Sequence, residues 1–100
     1  MKLKLEILAS IKLRTKENPV FSHHLETSYG LSGTEIRDIV RELRREGYPI
    51  ANSKSGYYFA NNYEEIEPTI NDLESRAFSM LETVKKLKLN FSRPQQSTLF

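Results

Sequence analysis

The chain has 100 residues, of which 28% are charged and 38% are hydrophobic. This is typical of one small folded domain and too apolar for a fully disordered chain. The absence of cysteine excludes disulfide frameworks, thiolate zinc sites and cysteine nucleophiles, and the formal net charge of +2 is too small to indicate a nucleic-acid partner by itself.

The first part of the chain predicts two helices. Apolar residues at helical spacing form the first, which ends before Asn18-Pro19. These residues are Leu3, Leu5, Ile7, Leu8 and Ile11. We expect Ser22 to cap a short second helix, with Leu25 as its buried residue and Tyr29-Gly30 as its end.

A third helix is predicted to begin with a capping box at Ser32-Gly33-Thr34-Glu35. In this motif the Ser32 hydroxyl and the Glu35 carboxylate each accept a hydrogen bond from a backbone N–H that lacks a helical partner. Apolar residues then repeat at i, i+3, i+4 and i+7, which directs one face toward a core, and Gly47 stops the helix. The repeating residues are Ile36, Ile39, Val40 and Leu43.

Two β-prone runs follow, at Tyr48–Ala51 and Tyr57–Ala60, and turn-forming residues join them. They predict a hairpin. Three helices followed by a hairpin, with a tight turn at Gly30 before the third helix, is the plan of a winged helix-turn-helix. We therefore expect a mainly α fold with a small β-hairpin, in which residues 1–61 form a winged helix-turn-helix domain and a long C-terminal helix follows.

A sequence resemblance supports this expectation. The segment LSGTEIRDIVRELRREGYPIANSKSGYYFA resembles the winged-helix domain of biotin-repressor-type and related bacterial regulators, where a capped recognition helix runs into L-R-x-x-G-Y-P-I and a G-Y-Y wing strand. The likeness extends from Leu5 to Ala60. It implies DNA binding, with Thr34, Arg37, Arg41 and Lys54 at recognition-helix and wing positions. Biotin sensing is not implied, since nothing resembling a ligase domain follows.

The third helix carries arginines roughly opposite its apolar face. The planar arginine fork can hold guanine O6 and N7, or a phosphate. Acidic residues at 38, 42 and 46 can pair with these arginines, so the alternative is a merely solvated helix surface. We favour a DNA-reading face because Lys54 in the wing can also neutralise a phosphate. The predicted DNA contacts are Gly33, Thr34, Arg37, Arg41, Arg44, Arg45 and Lys54.

A C-terminal helix is predicted over residues 62–89. Asn61 or Asn62 can cap it, Asn62 and Glu65 forming a box-like start, and Pro68 either kinks the helix or sets its first turn. Its apolar residues alternate at steps of four and three over about three heptads, which is typical of a coiled coil. We expect a homodimer, parallel or antiparallel; the alternatives are another partner or packing against the winged domain. The predicted dimerisation seam is Ile66, Ile70, Leu73, Ala77, Met80, Val84 and Leu87.

Residues 90–100 lose this pattern and predict a flexible tail. The last five residues resemble the Q-x-x-L-F peptides by which bacterial replication and repair proteins hold the DNA sliding clamp. This resemblance implies that Gln96, Leu99 and Phe100 bind a sliding clamp. The alternative is that the tail packs on the protein's own dimer.

The sequence shows no catalytic or metal-binding constellation. His23 and His24 point about 100° apart on a helix and cannot bind one metal from the same face. The chain also lacks a signal-peptide core and a membrane-spanning run. We therefore expect a cytoplasmic, non-enzymatic duplex-DNA-binding protein without a cofactor, either a transcriptional regulator or a DNA-replication accessory of a phage or mobile element. The alternative is a protein-interaction adaptor that uses the wing and the tail.

Overall fold

The computed structural model describes residues 2–54 and 56–92. Over these residues the fold is mainly helical, with a small three-stranded antiparallel sheet and a long C-terminal helix. The elements are α1 (Lys2–Lys12), β1 (Val20–Phe21), α2 (Ser22–Tyr29), α3 (Gly33–Arg45), β2 (Ile50–Ser53), β3 (Gly56–Phe59) and α4 (Tyr63–Ser92). The chain divides into a first unit that ends at Thr69 and a second unit that begins at Ile70.

Helices α1, α2 and α3 and the sheet enclose the main core of the first unit. Its largest fully buried side chains are Ile7, Ile11, Leu25, Ile36, Val40, Leu43 and Ile50. Helix α1 presents Ile7, Leu8 and Ile11 to this core, whereas Leu5 is 60% exposed. Three of the five predicted apolar residues of α1 are therefore buried, and Leu3 and Leu5 are not.

The ends of α2 and α3 follow local rules with one exception. Gly30 ends α2 in the left-handed conformation (φ 65°), and the predicted capping box of α3 is present, with both hydrogen bonds formed between Ser32 and Glu35. The predicted cap at Ser22 is wrong. Phe21 is the N-cap residue because β1 runs directly into the helix, and the Ser22 hydroxyl donates to the Glu26 carboxylate instead (2.9 Å).

The sheet has one strand more than the predicted hairpin. Strand β1 pairs antiparallel with β3 through Val20 and Tyr57, so the strand order is β1-β3-β2. Strands β2 and β3 form the predicted hairpin, shifted by up to two residues from the expected runs. Gly56 allows β1 to approach, since a Cβ atom there would lie 2.9 Å from the Pro19 Cβ.

The first turns of α4 belong to the first unit. Asn62 caps the helix by accepting a hydrogen bond from the Glu65 N–H (3.0 Å), as predicted, and Ile66 packs against a small buried cluster of the hairpin. That cluster comprises Ala51, Tyr58 and Ala60. Pro68 does not set the helix start, because α4 begins at Tyr63.

Helix α4 then continues to Ser92, beyond the predicted end at residue 89. Asn90 and Phe91, which the sequence analysis assigned to the tail, are therefore helical. No helix in the described ranges combines the length and hydrophobicity that crossing a membrane requires.

Candidate nucleic-acid interface

Two carboxylates at the end of α3 pair with α1. The Lys4 Nζ lies 3.4 Å from the Glu42 carboxylate and also pairs with Glu46. The hydrogen bond to Glu46, supported by Glu42, raises the pKa of Lys4 above its ordinary value. Glu42 and Glu46 thus pair with α1 rather than with the arginines of α3.

The solvent-exposed face of α3 carries arginines at positions 37, 41 and 45. The Arg37 guanidinium donates to the Thr34 hydroxyl (3.2 Å), which fixes its direction along the first turns of the helix. Arg41 pairs with Asp38 (2.9 Å), and both side chains are more than half exposed. A pair this exposed is weak and can be exchanged for another anion.

Arg44 has a different environment from the other predicted contacts. Its Nε donates to the Ile50 carbonyl (2.8 Å) and its Nη2 to the Asn52 side chain (3.0 Å), so it fastens α3 to β2. Asn52 also donates its backbone N–H to the Thr69 hydroxyl (3.2 Å). A structural role for Arg44 was not predicted.

A shallow cleft separates α3 from the hairpin. Its walls bring together Arg37 from α3 and Lys54 from the hairpin turn, which the sequence analysis had predicted separately. The remaining lining residues are Ser22, Asn52, Ser53, Gly56 and Tyr57. Gly33, which begins α3, lies close enough to Arg37 that an added Cβ would be 3.4 Å from its guanidinium.

Tyr57 is the functional candidate that sequence reasoning missed. Burial raises the pKa of its phenol, while the nearby Arg44 and Arg37 oppose that shift and Glu26 adds to it. Tyr57 therefore stays protonated at neutral pH and can donate a hydrogen bond. Its cross-strand partner is Asn52. The register of the hairpin, which places residues 52 and 57 opposite each other, brings Tyr57 to the cleft, and the predicted runs did not contain residue 52.

Taken together, the cleft walls offer two cations and several neutral donors. Hydroxyls, an amide and two charged nitrogen groups are the groups that bind phosphate oxygens in proteins. The Glu26 carboxylate is the nearby negative group, and it is held by the Ser22 hydroxyl. The cleft is chemically suited to binding an anion.

The predicted dimerisation seam is divided between the two units. Ile66 packs within the first unit against the hairpin cluster, so this member of the predicted seam has an intramolecular role. In the second unit Leu73, Met80, Val84 and Leu87 are exposed within the chain. The predicted tail contacts Gln96, Leu99 and Phe100 lie outside the described residues, and binding to a sliding clamp stays a prediction.

Comparison with known proteins assigns no family. No protein family, curated protein or solved structure matches the chain. The function is therefore inferred from the geometry of the described residues.

Proposed function

We propose that the first unit is a winged helix-turn-helix domain that binds duplex DNA. In this proposal α3 enters the major groove and the β2–β3 hairpin is the wing that contacts the neighbouring backbone. The element order α1-β1-α2-α3-β2-β3, with the tight turn at Gly30 between α2 and α3, supports the assignment. A transcriptional regulator and a DNA-replication accessory can both use such a module, so the proposal covers both.

The observation that carries the proposal is the cleft where Arg37 and Lys54 face a common space. An isolated arginine-rich helix surface is often only solvated. Here a second element adds a cation and neutral donors beside the helix, and this is what a phosphate backbone requires.

The exposed arginines of α3 have a spacing suited to a groove. Arg37, Arg41 and Arg45 are each four residues apart, so they form a stripe about 12 Å long on a helix that rises 1.5 Å per residue. That length matches three to four base-pair steps of about 3.4 Å. Since the early residues of a recognition helix meet base edges, Thr34 and Arg41 are the proposed readers. Arg37, which lines the cleft with Lys54, and Arg45 are the proposed phosphate contacts.

The test is the binding of a fluorescent random-sequence duplex, measured by anisotropy between about 50 and 200 mM salt. We expect R37A/K54A to lose at least about tenfold in affinity and to reduce the slope of log K against log salt by about 2, because two phosphate contacts are lost. The matched control is K85A/K86A, which removes the same charge from exposed positions of the second unit.

An equal loss in both double variants would show that only net charge matters and would overturn the assignment of the cleft. Failure of the wild-type chain to bind duplex DNA at the lowest salt would overturn the proposal itself. The same face would then belong to the alternative class, a protein-interaction adaptor.

A further inference from the structure

The second unit exposes a continuous apolar row along α4. Because the helix continues to Ser92, Phe91 extends the four-three spacing one step beyond Leu87, and 85% of it is exposed. Leu81 lies beside the row and is 66% exposed. The row comprises Leu73, Ala77, Met80, Val84, Leu87 and Phe91. Such a row on one helix cannot be buried by that helix alone.

Charge is distributed unevenly along α4. Within the second unit, Asp72 and Glu74 lie near the start of the helix and Lys85, Lys86 and Lys88 lie near its end, with Arg76 and Glu82 between them. Two copies lying in the same direction would bring the lysines together. Two copies in opposite directions place the acidic start of each beside the basic end of the other, which favours antiparallel pairing.

We propose that α4 pairs with a second copy of itself as an antiparallel two-helix coiled coil. The two-fold axis runs between the helices at the level of residue 82. This inference concerns the second unit alone and does not rest on DNA binding. The apolar layers are Leu73 with the partner's Phe91, Ala77 with the partner's Leu87, and Met80 with the partner's Val84, each occurring twice.

The surface of α4 has a depression at Ala77 that fits this register. This shallow depression is lined by Leu73, Ala77 and Met80 together with Ser75, Arg76 and Ser79. The small Ala77 side chain leaves room for a large knob, and the register presents the partner's Leu87 to it. Knobs entering holes of this kind define coiled-coil packing.

The flanking positions select this register over its neighbour. The proposed register places Glu74 opposite the partner's Lys88, so that opposite charges face each other. It also brings the two copies of Leu81 together across the axis, so that apolar side chains face each other. A shift by one heptad instead places Glu74 against the partner's Leu81, twice. The same apolar row thus supports two antiparallel registers, and the flanking residues favour one.

The test uses single-cysteine variants, since the sequence contains no native cysteine. A77C carrying an affinity tag is mixed with untagged L87C, oxidised mildly, and resolved on a non-reducing gel. We expect a disulfide-linked tagged–untagged pair from this mixture. We expect little linkage from A77C alone, which reports parallel pairing, or from A77C mixed with M80C, which reports the shifted register. Dominant linkage in either control would overturn the proposal.

Charge reversal provides a second measurement that needs no cysteine. E74K and K88E should each weaken self-association in sedimentation equilibrium by about tenfold, because each places like charges together at two symmetry-related sites. E74K/K88E should restore it. A double variant as weak as the single variants would contradict the antiparallel register, and a wild-type chain that stays monomeric at tens of micromolar would overturn self-association altogether.

Discussion

Arginines one turn apart on α3 have contrasting partners. Arg44 donates to a backbone carbonyl and an amide of the hairpin, at 2.8 and 3.0 Å, whereas Arg41 pairs with Asp38 in solvent. A charged hydrogen bond in a half-buried site contributes more to stability than an exposed ion pair does, because solvent screens the latter. Arg44 therefore contributes to folding, and Arg41 remains available for a ligand.

We expect R44A to lower the free energy of unfolding by about 1–3 kcal/mol, since it leaves the Ile50 carbonyl without this donor. R41A should change the free energy of unfolding by less than about 0.5 kcal/mol, as surface substitutions usually do. Urea denaturation followed by circular dichroism measures both. Equal destabilisation in the two variants would contradict the distinction.

The sequence predicted both arginines as DNA contacts, with Arg41 on the polar face of α3 and Arg44 beside that face. It could not separate their roles, because the partner of Arg44 is set by the register of the hairpin, which side-chain periodicity within α3 does not encode. Tyr57 was missed for the same reason. Its position in the cleft depends on pairing across the sheet.

At the scale of the elements, local signals predicted α2, α3, the hairpin and the start of α4. The capping box of α3 and the glycine at the end of α2 depend only on residues that are close in the sequence. They can therefore be recognised without knowing the tertiary structure. Strand β1 could not be predicted, because two residues are too few to show alternation. Strand β1 forms because its backbone pairs with β3, which approaches closely at Gly56.

Gly56 is therefore expected to be intolerant of a side chain. A Cβ atom there would lie 2.9 Å from the Pro19 Cβ and 3.1 Å from the Val20 carbonyl oxygen, so G56A should cost about 1–3 kcal/mol through overpacking. G33A is the matched control, since its new Cβ would meet only the movable ends of Glu26 and Arg37. Thermal denaturation compares them, and a G33A variant as destabilised as G56A would contradict this account.

At the scale of the whole molecule, the first unit is larger than the predicted domain of residues 1–61. The predicted domain ends at the hairpin because the heptad pattern of α4 begins immediately afterwards. The structure instead uses the first turns of α4 to cover the hairpin, through Ile66 and Thr69. Thr69 is buried, at 6% exposure, and hydrogen-bonds to Asn52.

Two fragments test whether the first turns of α4 stabilise the first unit. A fragment of residues 1–72 should unfold cooperatively on heating, because it keeps the cover over Ala51, Tyr58 and Ala60. A fragment of residues 1–61 should be markedly less stable, since it exposes that cluster and removes the Glu65 carbonyl to which the Tyr58 hydroxyl donates (3.3 Å). Identical melting temperatures would show that the first turns of α4 add nothing to the unit.

The hydrogen bonds that meet at Asn52 have a consequence for recognition. Arg44 of α3 and Thr69 of α4 both bind this one residue of β2, so the distance between α3 and the hairpin is fastened from two sides. Under the proposed function, two contact elements held at a set separation adjust little to the DNA, and the duplex must bend or narrow its groove to reach both. Sites would then be ranked partly by how easily their base steps deform, including steps that no side chain touches.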